Sequence, residues 1–255
     1  MIGFIKRLTD MFWDLLFPKR CVSCGEHISF KNDFLCPECR KLKNEEIDQG
    51  CPGCGKPYRD CRCKPNYLAG KTLITTMPYK SENSVCRDLI ILCKRRKNRR
   101  VINELAEGMA RALKRSGING LYSVTFTPRS PKAVRKCGFD QAEELARQLA
   151  KKLSFPFVRT VECRDTNMEQ KFLTHDMRQS NALKRFFIPK RRKATVDQAS
   201  FILVDDVVTS GATLNRCADL LYESGASNVI CIGAARAVGD NQPSDGDGNS
   251  EKENE

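Results

Sequence analysis

The amino-acid sequence predicts an α/β protein: a mainly parallel sheet with helices on both faces, preceded by a small cysteine-rich module. Three observations predict it. From about residue 67 onward, short β-branched and apolar runs alternate with stretches of helical periodicity. Residues 200–204 (SFILV) are almost wholly apolar, as expected of a strand covered on both faces. Eight of the 14 cysteines crowd between Cys21 and Cys63 in close pairs. Strand–helix alternation at this spacing means parallel strands joined by crossover helices.

Taken in order, residues 1–18 read as an N-terminal amphipathic helix. Ile5, Leu8, Phe12, Leu15 and Leu16 recur at helical spacing, while Lys6, Arg7, Asp10 and Asp14 interrupt any apolar run. Two acids against two bases favour docking on the protein's own body over a membrane-surface anchor. The segment lacks the continuous apolar core and cleavage site of a signal peptide. No run in the chain approaches the roughly 18 apolar residues that span a bilayer, and the expected location is cytoplasmic. Residues 19–66 form the cysteine-rich module, too poor in aliphatics to build its own core. Within residues 67–238, strands are expected at 71–79 (KTLITTMPY), 122–127 (YSVTFT), 155–161, 200–204 and 228–234 (NVICIGA). Helices are expected at 83–93, 101–115, 141–153 and 211–224. Residues 239–255, rich in Gly, Asn, Ser and acids, read as a disordered acidic tail.

The 255 residues carry 44 Lys and Arg against 31 Asp and Glu, a net of +13. The tail from Asp240 onward holds a net of −5, so the first 239 residues carry +18. Lys94 to Arg100 places six cations in seven residues. A body this basic suits phosphates, nucleic acid or an acidic membrane face. The 40% hydrophobic content excludes wholesale disorder.

The cysteine spacing is Cys21-x2-Cys24, Cys36-x2-Cys39, Cys51-x2-Cys54 and Cys61-x-Cys63. Two thiolates separated by a tight turn can share one tetrahedral ion. The eight ligands suffice for two structural zinc sites, most simply Cys21, Cys24, Cys36 and Cys39 for one and Cys51, Cys54, Cys61 and Cys63 for the other. Gly25 and Gly55 follow two of the pairs and are expected to leave backbone N–H groups near the sulfurs. His27 reads as a surface residue. Disulfides are disfavoured, because no secretory signal is present and the other six cysteines read as core residues. All-thiolate sites keep no open position for catalysis.

Residues 201–214, FILVDDVVTSGATL, carry the chemistry. An apolar strand ends at Asp205 and Asp206, and the small-residue turn Thr209-Ser210-Gly211-Ala212-Thr213 then opens a helix. Ligands of parallel sheets bind beyond the carboxyl ends of the strands. The turn lets successive amides converge on an anion at a helix start. The acids cannot favour that anion, so they call for hydroxyls or a cation. A ribose 5-phosphate meets both demands.

The run Asp-Asp-x-x-Thr-x-Gly-x-Thr after an apolar strand resembles the PRPP-binding signature of type I phosphoribosyltransferases, across roughly residues 67–237. With the cysteine-rich ribbon in front, the chain resembles the ComF family, bacterial proteins associated with DNA uptake in natural competence. Cys137-Gly138-Phe139-Asp140-Gln141-Ala142 is similar to that family's Arg-Gly-Phe-Asn-Gln-Ala, with Cys137 and Asp140 as departures. Tyr79, Leu89 and Lys94, and the series Gln170, Leu173, Arg178, Asn181 and Phe186, resemble its further patterns.

The resemblance implies a type I phosphoribosyltransferase fold in which Asp205 and Asp206 serve the chemistry and Thr209–Thr213 hold the phosphate. It implies a diphosphate loop at Pro128-Arg129-Ser130-Pro131, where Arg129 and Ser130 meet PRPP. It also implies a hood over residues 164–178, carrying Arg164, Lys171, His175 and Arg178, and Mg²⁺ accompanying PRPP. The implied partners are PRPP or another ribose 5-phosphate, single-stranded DNA and a protein of the competence machinery. Three functions remain open: a DNA-uptake protein with a PRPP-type pocket, an active phosphoribosyltransferase of nucleotide salvage or synthesis, and a non-catalytic PRPP sensor or assembly module. No segment reads as a selector of purine or pyrimidine.

Overall fold

The computed structural model describes residues 19–28, 34–49, 51, 54–58, 60–63, 68, 70–80, 84–95, 97–165 and 185–237. The helix expected over residues 1–18, the acidic tail and most of the expected hood, with Lys171, His175 and Arg178, lie outside the described residues.

The sheet is parallel, in the order β1 (Thr72–Thr75), β7 (Asn228–Ala237), β6 (Ser200–Val208), β3 (Ser123–Phe126). Beyond β3, Phe157 makes a single parallel bridge to Val124, where residues 155–161 read as a full strand. The strand read over 71–79 is interrupted at Thr76 and Met77. The Thr76 hydroxyl donates to the Ala234 carbonyl, and pairing with β7 resumes in β2 (Pro78–Tyr79). A short antiparallel pair, β4 (Glu162–Cys163) and β5 (Phe186–Phe187), stands apart from the sheet.

The period of two along β6 divides its side chains between two cores. Ile202 and Val204 pack with helices α2 (Val85–Arg95), α3 (Arg99–Arg115) and α5 (Gln141–Leu153). Phe201 and Leu203 pack on the opposite face with Val196 of α6 (Lys193–Val196) and Leu214, Cys217 and Leu221 of α7 (Ala212–Glu223). Both faces of the strand are dry, which explains its unbroken apolar run. Among the described residues, no helix is long and apolar enough to cross a membrane.

A helix that the apolar pattern does not signal, α1 (Pro37–Asp48), lies inside the cysteine-rich module. Its buried positions are Cys39, Lys43 and Glu46, at helical spacing but not apolar. Cys39 is buried in the module's own sulfur cluster, and Lys43 and Glu46 are buried because they pair with the body of the protein. Lys43 Nζ lies 2.6 Å from Glu104 of α3. The Glu46 carboxylate accepts from Ser84 Oγ at 2.6 Å, Val85 N at 2.8 Å and Cys86 N at 3.1 Å. It thereby caps the N-terminus of α2, where amides are unpaired and the helix dipole favours negative charge. Cys21, Ile28, Phe34, Leu35 and Cys36 join the same apolar cluster as α2 and α3. The module therefore borrows the core it cannot build.

Glu46→Ala would leave the Val85 and Cys86 amides buried and unpaired, at a cost of about 2–4 kcal/mol. Urea unfolding should show this as a lowered midpoint, with Glu46→Gln keeping part of the loss. A midpoint unchanged in Glu46→Ala would contradict the capping role.

Candidate functional site

Register brings the site together. Phe126, the last residue of β3, sits opposite Val204 of β6, and Thr127 N donates to the Val204 carbonyl at 2.9 Å. The loop after β3 therefore starts beside Asp205. The resulting cavity, of about 350 Å³, is lined by Arg129, Ser130, Asp205, Asp206 and Thr213, together with Lys94, Gln141 and Arg185.

β6 runs farther than the sequence suggests. It continues through Asp205 and Asp206 to Val208, so the acids lie within the strand's last turn of pleat and not past its end. The amides of Asp206 and Val207 donate to the carboxylates of Asp205 and Asp206, at 2.8 and 2.7 Å. Thr209 and Ser210 are exposed, Ala212 is buried, and Thr213 is half-buried against the cavity. Gly211 caps α7 in the left-handed conformation, φ +79°, a geometry that glycine adopts without strain. Glycine offers no side-chain cap, and the first amide of the helix, Ala212 N, donates to Ser210 Oγ at 3.4 Å.

On the facing loop, Arg129 N donates to Asp140 Oδ2 at 2.7 Å. Asp140 Oδ1 accepts from Ala142 N at 3.0 Å and Glu143 N at 3.3 Å. One carboxylate thus caps α5 and fastens the loop to it. Burial pushes the Asp140 carboxyl upward, opposed by these amides. The Arg129 guanidinium turns an N–H toward Cys137 Sγ at 3.6 Å. Ser130 Oγ accepts from Ala133 N at 3.3 Å as the cap of α4 (Pro131–Cys137), and the hydroxyl also contacts Asp165. Ser130 therefore has less left to offer a ligand than its position in the sequence suggests.

Lys94, Gln141 and Arg185 are cavity residues that site prediction from sequence missed. Lys94 heads the basic run, yet its ammonium points inward, 3.8 Å from Asp206 Oδ2 and 5.6 Å from the centre of the Tyr79 ring. Lys97 pairs with Glu144 at 2.5 Å, which leaves Arg95, Arg99 and Arg100 of the run as exposed cations among the described residues. The signal for Lys94 was its place in the family pattern beside Tyr79. Arg185 carried none. Of the expected hood, Arg164 stacks on the Phe187 ring, 4.1 Å from its centre.

Asp205 is enclosed at the strand end. Burial first, and the charge of Asp206 second, push its carboxyl up to about 8, against the pull of the Thr127 hydroxyl and the Asp206 amide. Below that pH Asp205 keeps its proton, so the pair does not carry two full charges at neutrality. An unfolded Asp ionises near 3.8, so the unfolded chain binds fewer protons than the folded one between about 4 and 8. This group's contribution to stability is full below the lower value and is lost as pH rises through the upper one.

The eight cysteines of the module form two clusters, Cys21, Cys24, Cys36, Cys39 and Cys51, Cys54, Cys61, Cys63, with the sulfurs of each within 4.8 Å of one another. Cys24 and Cys36 sulfurs lie 3.6 Å apart, and Cys54 and Cys61 sulfurs 3.7 Å apart. A disulfide needs about 2.05 Å, whereas four sulfurs about 2.3 Å from a shared zinc stand about 3.8 Å apart. The donor set therefore fits structural zinc. Burial raises the Cys21 thiol, but amides of Cys24, Cys36 and Ser23 outweigh it and leave it lowered to about 6. Burial and then the neighbouring sulfurs push Cys39 up. Four thiolates cannot share this space without a cation. The glycines do what the sequence suggests: the amides just after them, of Glu26 and Lys56, reach the Cys24 and Cys54 sulfurs. Gly25 and Gly55 adopt φ +79° and +69°, and their amides donate to the Cys21 and Cys51 carbonyls, at 3.0 and 2.8 Å. Their left-handed conformation closes each turn and leaves the following amide facing the sulfur. His27 is exposed and bridges to Arg20.

Two measurements check these readings. Wild-type stability should decline between pH 4 and 8 more steeply than that of Asp205→Asn; parallel pH profiles would refute the raised carboxyl. Elemental analysis should find two zinc ions per chain, falling to one in Cys39→Ser or Cys61→Ser, and chelation should lower the unfolding temperature. A zinc-free chain of undiminished stability would count against structural zinc.

Comparison with known proteins yields two family profiles: a double zinc ribbon domain over residues 12–88 and a phosphoribosyl transferase domain over residues 133–251. The DNA utilization protein YhgH of Salmonella typhimurium is 26% identical over 227 residues, covering 84% of this chain and 96% of that protein. Competence protein ComFC of Bacillus subtilis is 23% identical over 235 residues, covering 89% and 94%. Among solved structures, the allosteric regulatory enzyme of purine biosynthesis overlaps 52% of this chain and 26% of its own, at 17% identity and a TM-score of 0.37. A parallel α/β domain behind a cysteine-rich ribbon, with relatives of these names aligned over most of their length, supports the resemblance of the chain to the ComF family.

Proposed function

We propose that this chain binds PRPP or a related ribose 5-phosphate in the cavity between β3 and β6 and acts in DNA uptake, with contact to single-stranded DNA. One observation carries the first part: Asp205, Asp206, Thr213, Arg129 and Ser130, from separate parts of the sequence, line a single cavity. The turn at residues 209–213 would grip the 5-phosphate through main-chain amides. Asp205 and Asp206 would hold the ribose hydroxyls, and Arg129 would meet the diphosphate. Bound Mg²⁺ would balance the charge of the diphosphate beside two acids. The names of the relatives, DNA utilization and competence proteins, support the second part, as do the exposed Arg95, Arg99 and Arg100 beside the inward Lys94.

An active phosphoribosyltransferase is the second reading. It is favoured by the acid pair, because a buried, partly protonated pair can hold a ribose whose C1–O bond to diphosphate loosens, while Arg129 and Lys94 stabilise the charge that leaves.

Calorimetry with PRPP and Mg²⁺ should show binding by the wild type that weakens at least tenfold in the double variant Asp205→Asn, Asp206→Asn. Affinity for a single-stranded oligonucleotide should fall with rising salt, as phosphate contacts require, and should drop in Arg99→Ala, Arg100→Ala. PRPP affinity unaltered in the acid variant would remove the ribose reading. Oligonucleotide binding absent at low salt would remove the DNA reading.

A further inference from the structure

Lys43, Glu46 and Asp140 are buried, and each meets a partner described above: Glu104 for the first, helix amides for the other two. Arg236, next to the end of β7 and 4% exposed, is a further buried charge. A buried guanidinium is costly unless it is hydrogen-bonded and its charge is offset. Its Nη1 donates to the Cys63 carbonyl at 2.7 Å. Cys63 belongs to the second sulfur cluster, with Cys51, Cys54 and Cys61. The buried Tyr58 packs with Cys51 and Cys61, and its phenol feels the charge of those sulfurs and of Arg236 alike. Four thiolates around one divalent ion carry a net negative charge, which a guanidinium beside them offsets.

The backbone of Arg236 is held as well. Its amide donates to the Met77 carbonyl at 3.0 Å. In the ladder it stands opposite Pro78 of β2 and Val208 of β6. Val208 is the last residue of β6, and the turn Thr209–Thr213 springs from it. The two strands fit closely here. A Cβ on Gly233 of β7 would lie 2.5 Å from Val208 Cγ2, so only glycine lets Val208 approach, and the end of β6 cannot shift without β7. Contacts packed this closely pass a displacement on and do not absorb it.

We infer that Arg236 is a positioning residue shared by the second zinc centre and the phosphate turn. Its guanidinium docks the sulfur cluster on the sheet, and its backbone fixes the strand end from which the turn springs. With an ion bound, the four sulfurs clamp Cys63 and hold its carbonyl on Arg236. Loss of that ion frees the carbonyl, the strand end loses its anchor, and the amides of the turn lose their shared aim. An intact second zinc centre therefore tightens sugar-phosphate binding. By linkage, a bound sugar phosphate tightens zinc retention at that centre by the same factor. The first cluster packs on α2 and α3 instead. The coupling rests on the proposed sugar-phosphate site; the docking of the zinc centre on Arg236 does not.

The test uses the full chain with both clusters zinc-loaded and a zinc-selective chelator, with alkylation of freed thiols to show which cluster has opened. PRPP with Mg²⁺ should raise the chelator concentration that opens Cys51, Cys54, Cys61 and Cys63 by about fivefold or more, and should leave that for Cys21, Cys24, Cys36 and Cys39 within about twofold. Arg236→Met should lower the concentration for the second cluster about tenfold and erase the effect of PRPP. Arg236→Lys, which keeps the charge and a donor, should restore most of both; a role in packing alone would not distinguish Lys from Met. Equal protection of both clusters, protection of neither by PRPP that calorimetry shows bound, unchanged zinc retention in Arg236→Met, or Lys and Met variants that behave alike would each overturn the inference. The wild-type titration needs no variant to fold. If PRPP does not bind at all, the sugar-phosphate reading falls and takes the coupling with it, while zinc retention in the Arg236 variants still decides the docking.

Discussion

Two adjacent carboxylates at the end of a strand buried on both faces set the terms for the rest of the structure. Asp205 and Asp206 follow four fully buried apolar residues, so the sheet carries them to its carboxyl edge without solvent to disperse their charge. The protein meets this in three ways. Asp205 keeps its proton to well above the ordinary range. The Asp206 and Val207 amides turn onto the carboxylates. Lys94 enters from α2 to face Asp206. Each of these also shapes the cavity, because the groups that make the acids tolerable are the groups that line it.

The diphosphate-loop candidate depends on the same edge. Parallel pairing of β3 with β6 places Thr127 beside Val204, and Asp140 then fastens Arg129 to the start of α5. Asp140 occupies the place where the family pattern has asparagine. A carboxylate accepting three amides does the positioning that an amide oxygen would do, so this departure leaves the loop's geometry intact. Cys137, the other departure, lies against the Arg129 guanidinium.

The cysteine-rich module illustrates a different constraint. Too small to bury a core, it is held inwardly by clustered thiolates suited to zinc and outwardly by α1. That helix presents Lys43 and Glu46 to α3 and α2 and not an apolar stripe. Because Glu46 caps the helix whose last turn carries Lys94, the ribbon supports the same helix that supplies the cavity's inward cation.

Much was legible in the sequence. The unbroken apolar run in residues 200–204, the stripe of Leu145, Ala146 and Leu149 and the close cysteine pairs are local patterns, and local patterns survive in any context that buries them or binds one ion. The acid pair and small-residue turn were legible for the same reason. What escaped was decided by partners distant in the chain. α1 was invisible because its buried face is charged, and only the matching Glu104 and the α2 amides make those charges welcome. Lys94 read as one of six surface cations until the fold turned it toward Asp206. Gln141 and Arg185, with 43 residues between them, became notable only when both lined one cavity. Composition and spacing determine which elements form and which ions they can hold; the tertiary structure alone decides which polar groups are left without a partner, because that depends on every neighbour at once.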